Sequence, residues 1–445
     1  MSTTDRPRRR PRSAVAAIAI FVALLAAACG PAGPSPSPSA TSTVAPTPVA
    51  SSASPAASGS AGAPSSSANG DANAIYDAVE SQVVAIRGLR PKQPVARQFI
   101  DQAELRALLT QMFDQDTPPS YVAGTERLYR ALGLIPAGTS LRTLSLDLLS
   151  GGVAAFYRSD QGKLYVVSKS GGAGPTDRFY FSHEYDHALQ DQNSTIFKDF
   201  DKVLDQSDEL LARQSIYEGD ATLSMTQWAA ANLSPSELLE VLASGTDPAA
   251  QAAMAAAPAI LRETLTFPYT VGFSYVTGIQ GAGGWPAVNA YFTKMPKSTK
   301  QIMHPEKYLA GEAPVAVTLP ADLATRLGPG WTVPLQDTFG EFQLGIWLRE
   351  AGVAAADATA AAAGWGGDRL AVMDGPGGAW AVAIDTEWDT ATDATEFAAA
   401  ARSAIKKAGG VAQVLPGASA KGRWILIADA AVTMSRVAAA LGLGG

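Results

Sequence analysis

The sequence predicts an α+β fold, mostly helical around its centre and closed by a small α/β unit of order ββαββα. Three patterns predict it. A hairpin signature lies at 152–168, a series of helix-start signals follows between 175 and 265, and short apolar runs alternate with helical stretches after 339. With 445 residues, 47% of them hydrophobic, the chain can build two or three domains.

Residues 73–90 mix helix-like and strand-like patterns, and Ala103–Phe113 reads as an amphipathic helix. Val153–Tyr157 and Lys163–Val167 flank the polar turn Ser159-Asp160-Gln161-Gly162, which predicts the hairpin. After the break Gly171–Gly174, Thr176 is placed to cap a helix running to about Gln192. A second helix is expected over Asp208–Ala231. A third starts at the capping box Ser234-Pro235-Ser236-Glu237, with proline at its first helical position. Ala249–Leu265 reads as helical, and Ser298 with Gln301 marks a capped turn ending at His304-Pro305. Beyond Phe339–Glu350, an amphipathic helix, come strands at Arg369–Met373 and Trp380–Ile384 joined by Asp374–Gly378. A helix at Ala391–Lys407, strands at Val411–Leu415 and Arg423–Ala428, and a helix at Ala430–Leu441 complete the unit. No repeat of solenoid period is present. The expected boundaries are 73–330 for the first folded domain and 331–445 for the C-terminal α/β unit.

The first seventy residues read as address and tether. Five arginines in the first twelve residues precede Ala14–Ala28, an apolar run suited to a signal-peptide core and short for a bilayer span. It ends in Leu25-Ala26-Ala27-Ala28-Cys29-Gly30, with the chain's one cysteine where small-residue cleavage is expected. This resembles a bacterial lipoprotein signal, although Ala26 stands where leucine is usual. The resemblance implies that 1–29 is a signal peptide, that Cys29 is lipidated, and that the protein is exported and held at the outer face of the membrane. Arg8-Arg9-Arg10 also leaves a twin-arginine route open. Residues 30–72 form a linker rich in Ser, Pro and Ala, too poor in apolar surface to fold. The net charge is −7 with these arginines included, so the body is more acidic still. That argues against nucleic acid as a partner. A single cysteine excludes an intramolecular disulfide.

The chemistry centres on His183-Glu184-Tyr185-Asp186-His187. Two histidines four apart on a helix are separated by roughly 6 Å along the axis and about 40° around it, so both imidazoles can meet one ion. Zinc in a catalytic site takes three protein ligands and keeps one position open. Glu184, one residue after His183, falls beside such an ion, where it can take a proton from the water that the ion acidifies and pass it to a leaving amine. The alternative is a chance match on an ordinary amphipathic helix. Only three histidines occur in the chain, and Phe179-Tyr180-Phe181 precedes the pair as a segment able to bury the helix.

No histidine follows at the spacing of the HExxHxxGxxH pattern, so a carboxylate has to complete the site. The combination of HExxH with Tyr217-Glu218-Gly219-Asp220-Ala221, thirty-one residues on, resembles the gluzincins, zinc metallopeptidases whose third ligand is a glutamate on a following helix. With His-Pro-Glu-Lys-Tyr at 304–308, it looks like a poorly characterised secreted bacterial and archaeal group. The resemblance covers about residues 75–310 and implies a zincin-like domain. It also implies a single zinc ion on His183, His187 and Glu218, and hydrolysis of a peptide or protein substrate. Asp220 or Asp191 remains an alternative ligand. Otherwise Asp220 is expected to accept a histidine N–H, with Asp191 a rival for that role. Gly219 would let two helices approach closely. Gluzincins use a histidine or tyrosine to stabilise the oxyanion, so His304 is a catalytic candidate beside the reading of a surface or capping histidine. Tyr269 and Tyr275 are weaker ones. No P-loop, Gly-x-Gly-x-x-Gly or Gly-x-Ser-x-Gly occurs, so no nucleotide cofactor or serine nucleophile is expected. The rival to an enzyme is a non-catalytic zincin-fold lipoprotein serving as an envelope binding or assembly module. An intact Glu184 speaks against it.

Overall fold

The computed structural model describes residues 66–443, apart from 168–171 and 246–247. The expected signal peptide with Cys29, the linker up to residue 65 and Gly171 lie outside the described residues. The fold is mixed α+β with two sheets.

The first part begins with α1 (Ser66–Arg87), β1 (Ala96–Ile100), α2 (Gln102–Asp116), α3 (Pro119–Ala131) and α4 (Leu141–Gly152). Then come β2 (Ala155–Arg158), β3 (Lys163–Val167), α5 (Pro175–Asn193), the single turn α6 (Ile196–Asp199) and α7 (Ser207–Asn232). α8 (Pro235–Ser244), α9 (Pro248–Ala256), α10 (Ala259–Phe267), α11 (Phe273–Tyr291), α12 (Thr299–Met303) and α13 (Pro305–Leu309) follow. The hairpin pairs β2 and β3 antiparallel, and β1 adds parallel to β3, giving the order β1-β3-β2. The strand alternation decides what each face meets. Phe156, Tyr165 and Val167 pack with α2 and α4, while Ala155, Tyr157, Leu164 and Val166 pack with α1 and α5.

Of residues 73–90, ambiguous in sequence, 73–87 are helical: Tyr76, Val79 and Val83 form a buried stripe at helical spacing. The α5 helix starts earlier than Thr176 would place it. Pro175 holds its first position, and the Asp177 carboxylate accepts from Gly174 N–H at 3.1 Å, so the cap is a glycine and Thr176 lies inside the helix. The expected helix 249–265 is two helices, because Pro258 interrupts the backbone ladder between α9 and α10. The capping box at Ser234 and the capped turn at Ser298 form as the sequence predicts.

The C-terminal part contains a five-stranded antiparallel sheet of order β4-β5-β6-β8-β7. Its strands are β4 (Thr332–Asp337), β5 (Trp365–Asp374), β6 (Trp380–Trp388), β7 (Val411–Pro416) and β8 (Gly422–Ala428). The helices here are α14 (Leu323–Leu327), α15 (Gly340–Glu350), α16 (Ala355–Ala363), α17 (Ala391–Ala404) and α18 (Ala431–Leu441). β4 is an edge strand that the sequence did not announce. Its Pro334 reads as a breaker, and an edge is where a strand tolerates proline.

This unit is not a detached appendage. One large core joins α3, α10 and α15 to the sheet through Leu128, Ile260, Leu344, Trp347, Val372 and Ile384. The unit also supplies the cap that α7 lacks of its own. Asp337, ending β4, accepts from Ser207 N at 2.7 Å and Ser207 Oγ at 2.6 Å, and Thr338 Oγ1 accepts from Asp208 N at 3.2 Å. A carboxylate at a helix N-terminus satisfies orphan amides and complements the dipole.

α7 passes very close to the π turn Pro268–Gly272. A Cβ on Gly219 would lie 2.6 Å from Gly272 O and 2.9 Å from Val276 Cγ2. The close approach that Gly219 permits is therefore with the π turn and α11. Replacing it should force the backbones apart. Gly219→Ala is expected to cost roughly 1–3 kcal/mol, read as a lowered Tm in thermal unfolding.

Candidate metal centre

α5 and α7 pack against each other and bring three ligand-type atoms together. His183 Nε2 lies 3.0 Å from His187 Nε2 and 3.1 Å from Glu218 Oε2, and His187 Nε2 lies 3.4 Å from that same oxygen. The two imidazoles stand at 89° to each other. All three side chains are buried, and no other cluster of this kind occurs among the described residues. A tetrahedral ion with bonds near 2.0–2.1 Å holds its ligand atoms about 3.3 Å apart, so this trio fits the edge lengths of such a site. Two imidazoles and one carboxylate also match zinc chemistry. The residues present could hold a metal ion.

Electrostatics bind the trio into one unit. Burial pushes His183 down to about 4. Burial acts on His187 in the same sense, but the Glu218 and Glu184 carboxylates outweigh it and raise it to about 9. Glu218 is held below its ordinary value because both histidines overcome the cost of burial. Glu184, adjacent to the trio, has its acid form favoured by burial and is raised to about 8. Its Oε2 accepts Tyr157 N–H at 2.8 Å from the edge strand β2, which fixes the carboxylate in place.

Behind the ligands a chain of polar contacts sets the His187 tautomer. Gln190 donates its amide N–H groups to Tyr217 O at 2.9 Å and to Asp220 Oδ2 at 3.0 Å. Its Oε1 is thereby turned towards His187 Nδ1, 2.9 Å away. Nδ1 therefore donates to Gln190, so Nε2 is the nitrogen that would face a bound ion. Asp220 also accepts from Arg87 Nη2 at 2.9 Å. Arg87 in turn binds Asp186 through Nε at 3.1 Å and Asn289 through Nη2 at 3.0 Å, with its guanidinium 4.0 Å over the Trp285 ring.

The other residues singled out in the sequence fall in different places. Asp220 does not touch a ligand histidine directly and reaches His187 only through Gln190. Asp191 is not part of the cluster and accepts from Tyr157 Oη at 2.8 Å. His304 is not brought to the cluster. Its Nε2 lies 2.8 Å from Glu341, a carboxylate that acts electrostatically on Asp208 in the first turn of α7. Glu218 is ten residues further along that helix, about 15 Å by its rise. Tyr275 pairs with Tyr291 hydroxyl to hydroxyl at 3.3 Å, whereas the Tyr269 ring sits 6.4 Å from that of His183. The sequence singles out neither Arg87 nor Gln190 as a supporting residue. Gln190 lay within the segment after His187, but an amide carries no ligand signal of its own.

Glu218 and Tyr269 also line a cavity of about 460 Å³ between α3, α4, α7 and α10, whose walls mix leucine and tyrosine with threonine, serine and glutamine. Removing Glu218 takes away one of the three ligands and its charge. Glu218→Ala is expected to lose bound metal, while Asp191→Asn keeps it, as measured by elemental analysis after dialysis.

A family described as a domain of unknown function (DUF8575) matches residues 329–438, from the approach to β4 into α18. Among curated proteins none matches the chain. The chain is similar to a solved structure described as a "putative hydrolase with a novel fold" from Chloroflexus aurantiacus. The two share 19% sequence identity over 56% of this chain and 92% of that chain, with a TM-score of 0.38.

Proposed function

We propose that this protein is a zinc metallopeptidase, exported and held at the cell envelope through a lipid on Cys29. The observation that carries the catalytic reading is the convergence of His183, His187 and Glu218 on one buried point with Glu184 beside it. His183, His187 and Glu218 would hold the ion. Zinc bound there supplies a Lewis acid that polarises a carbonyl and acidifies water.

Glu184 is the general base. It takes a proton from the attacking water and returns it to the amine as the C–N bond breaks, so the carboxylate ends each cycle ionised. Tyr157 N–H orients it. Gln190 keeps His187 in the tautomer that a ligand needs, and a structural ion would have no use for the adjacent base.

A mixed peptide library incubated with purified protein tests the reading. Cleavage that stops on chelation and returns with added zinc supports it. Intact peptides in the presence of a fully loaded protein would sink it.

A further inference from the structure

We propose that the cavity between α3, α4, α7 and α10 receives bulky apolar side chains of the peptide substrate, whose main chain meets the Gln214 amide there. This rests on the peptidase reading above. His183, Glu184, His187 and Glu218 are all nearly inaccessible, so a substrate needs open volume that one of them borders. Glu218 borders this one. At about 460 Å³ the cavity falls within the usual size of small-ligand pockets, roughly 300–1,000 Å³.

Its chemistry selects the occupant. Leu148 and Leu149 of α4, Leu211 of α7, and Ile260 and Leu265 of α10 form apolar walls. The ionisable carboxylates on the lining are Asp116 and Glu218, and no lysine, arginine or histidine lies on it. Acidic peptides and phosphorylated ligands would meet no cation on these walls, whereas a phenylalanine or leucine side chain gains by leaving water.

Gln214 supplies a second, independent observation. It is 4% exposed, lines the cavity one helical turn before Glu218, and its Nε2 makes no hydrogen bond of good geometry. The Tyr217 hydroxyl beside it likewise makes no hydrogen bond of good geometry. A buried donor held only in poor geometry against the Tyr217 hydroxyl is costly, and a peptide carbonyl entering beside Glu218 would pair the Gln214 amide.

The test uses zinc-loaded Glu184→Gln protein, which separates binding from cleavage. Fluorescence anisotropy compares a blocked heptapeptide carrying two central phenylalanines with its all-alanine counterpart. The phenylalanine peptide is expected to bind about tenfold to a hundredfold more tightly, the range for burying one such side chain. Ser145 lines the cavity from α4, so Ser145→Phe, or the milder Ser145→Leu, should erase that preference, and Ser145→Ala should keep it. Gln214→Leu should weaken both peptides alike. Equal affinity for the two peptides overturns the pocket, as does a preference that survives both fillers. Unchanged binding in Gln214→Leu overturns the amide's role. A preference that behaves as expected, alongside a wild-type protein that cuts neither peptide, upholds the pocket and overturns the peptidase reading instead.

Discussion

Glu184→Gln should lower turnover by about 10²–10⁴-fold while leaving the bound zinc in place. Glutamine keeps the size of the side chain and can still accept from Tyr157 N–H through its carbonyl oxygen. What it loses is the capacity to take a proton from water and deliver it to the leaving amine. The loss should therefore appear in kcat, with KM little changed, because the role proposed for the side chain is proton transfer and not the holding of substrate. Steady-state assay of both proteins at matched metal content checks this. A variant that turns over like the wild type would remove Glu184 from the chemistry.

Arg87→Met should destabilise the protein by about 3–5 kcal/mol. Arg87, Asp186 and Asp220 have no exposed side-chain surface, and the two carboxylates share the one guanidinium. Methionine would fill part of the space but leave two acids facing each other in the interior. The consequence should reach the ligands, since Asp220 holds Gln190 and Gln190 holds His187. Zinc affinity is expected to fall by about 10–100-fold, the usual cost of losing such a supporting contact. Chemical denaturation and zinc titration read the two effects separately. Adding Asp186→Asn and Asp220→Asn to the same background should recover part of the stability, because the uncompensated charge is then gone. If stability did not improve, the loss would stem from packing against Trp285.

The same network shows where the sequence was legible. The His183 and His187 pair could be read directly because its geometry is local, set by four residues of one helix. Glu218 could not be placed by spacing alone. Its approach depends on how α5 and α7 cross, and it entered through the resemblance of its surrounding motif. Arg87 offers no pattern at all, lying 99 residues from Asp186 and 133 from Asp220. A buried cation announces itself only once the two helices that it joins are in place.

Secondary structure divides along the same line. The hairpin and the capping box at Ser234 are encoded by neighbours in sequence, and both form. α1 was ambiguous because Val83, Val84 and Ile86 form a β-branched run, and packing on α5 decides the outcome. His304 looked catalytic for want of another histidine, yet Glu341 on α15 claims it. The tie between the C-terminal sheet and α7, through Asp337 at the Ser207 amide, is likewise a tertiary fact. It makes the sheet unit part of what positions the Glu218 helix.

The central claim is that His183, His187 and Glu218 together form a zinc site. Zinc K-edge X-ray absorption on protein reconstituted with zinc and dialysed tests it most directly. One tightly held zinc per chain is predicted, coordinated by two imidazoles and by oxygen, and absent from the His183→Ala and Glu218→Ala proteins. Protein that retains no zinc above background, or zinc that persists unchanged in both variants, would contradict it.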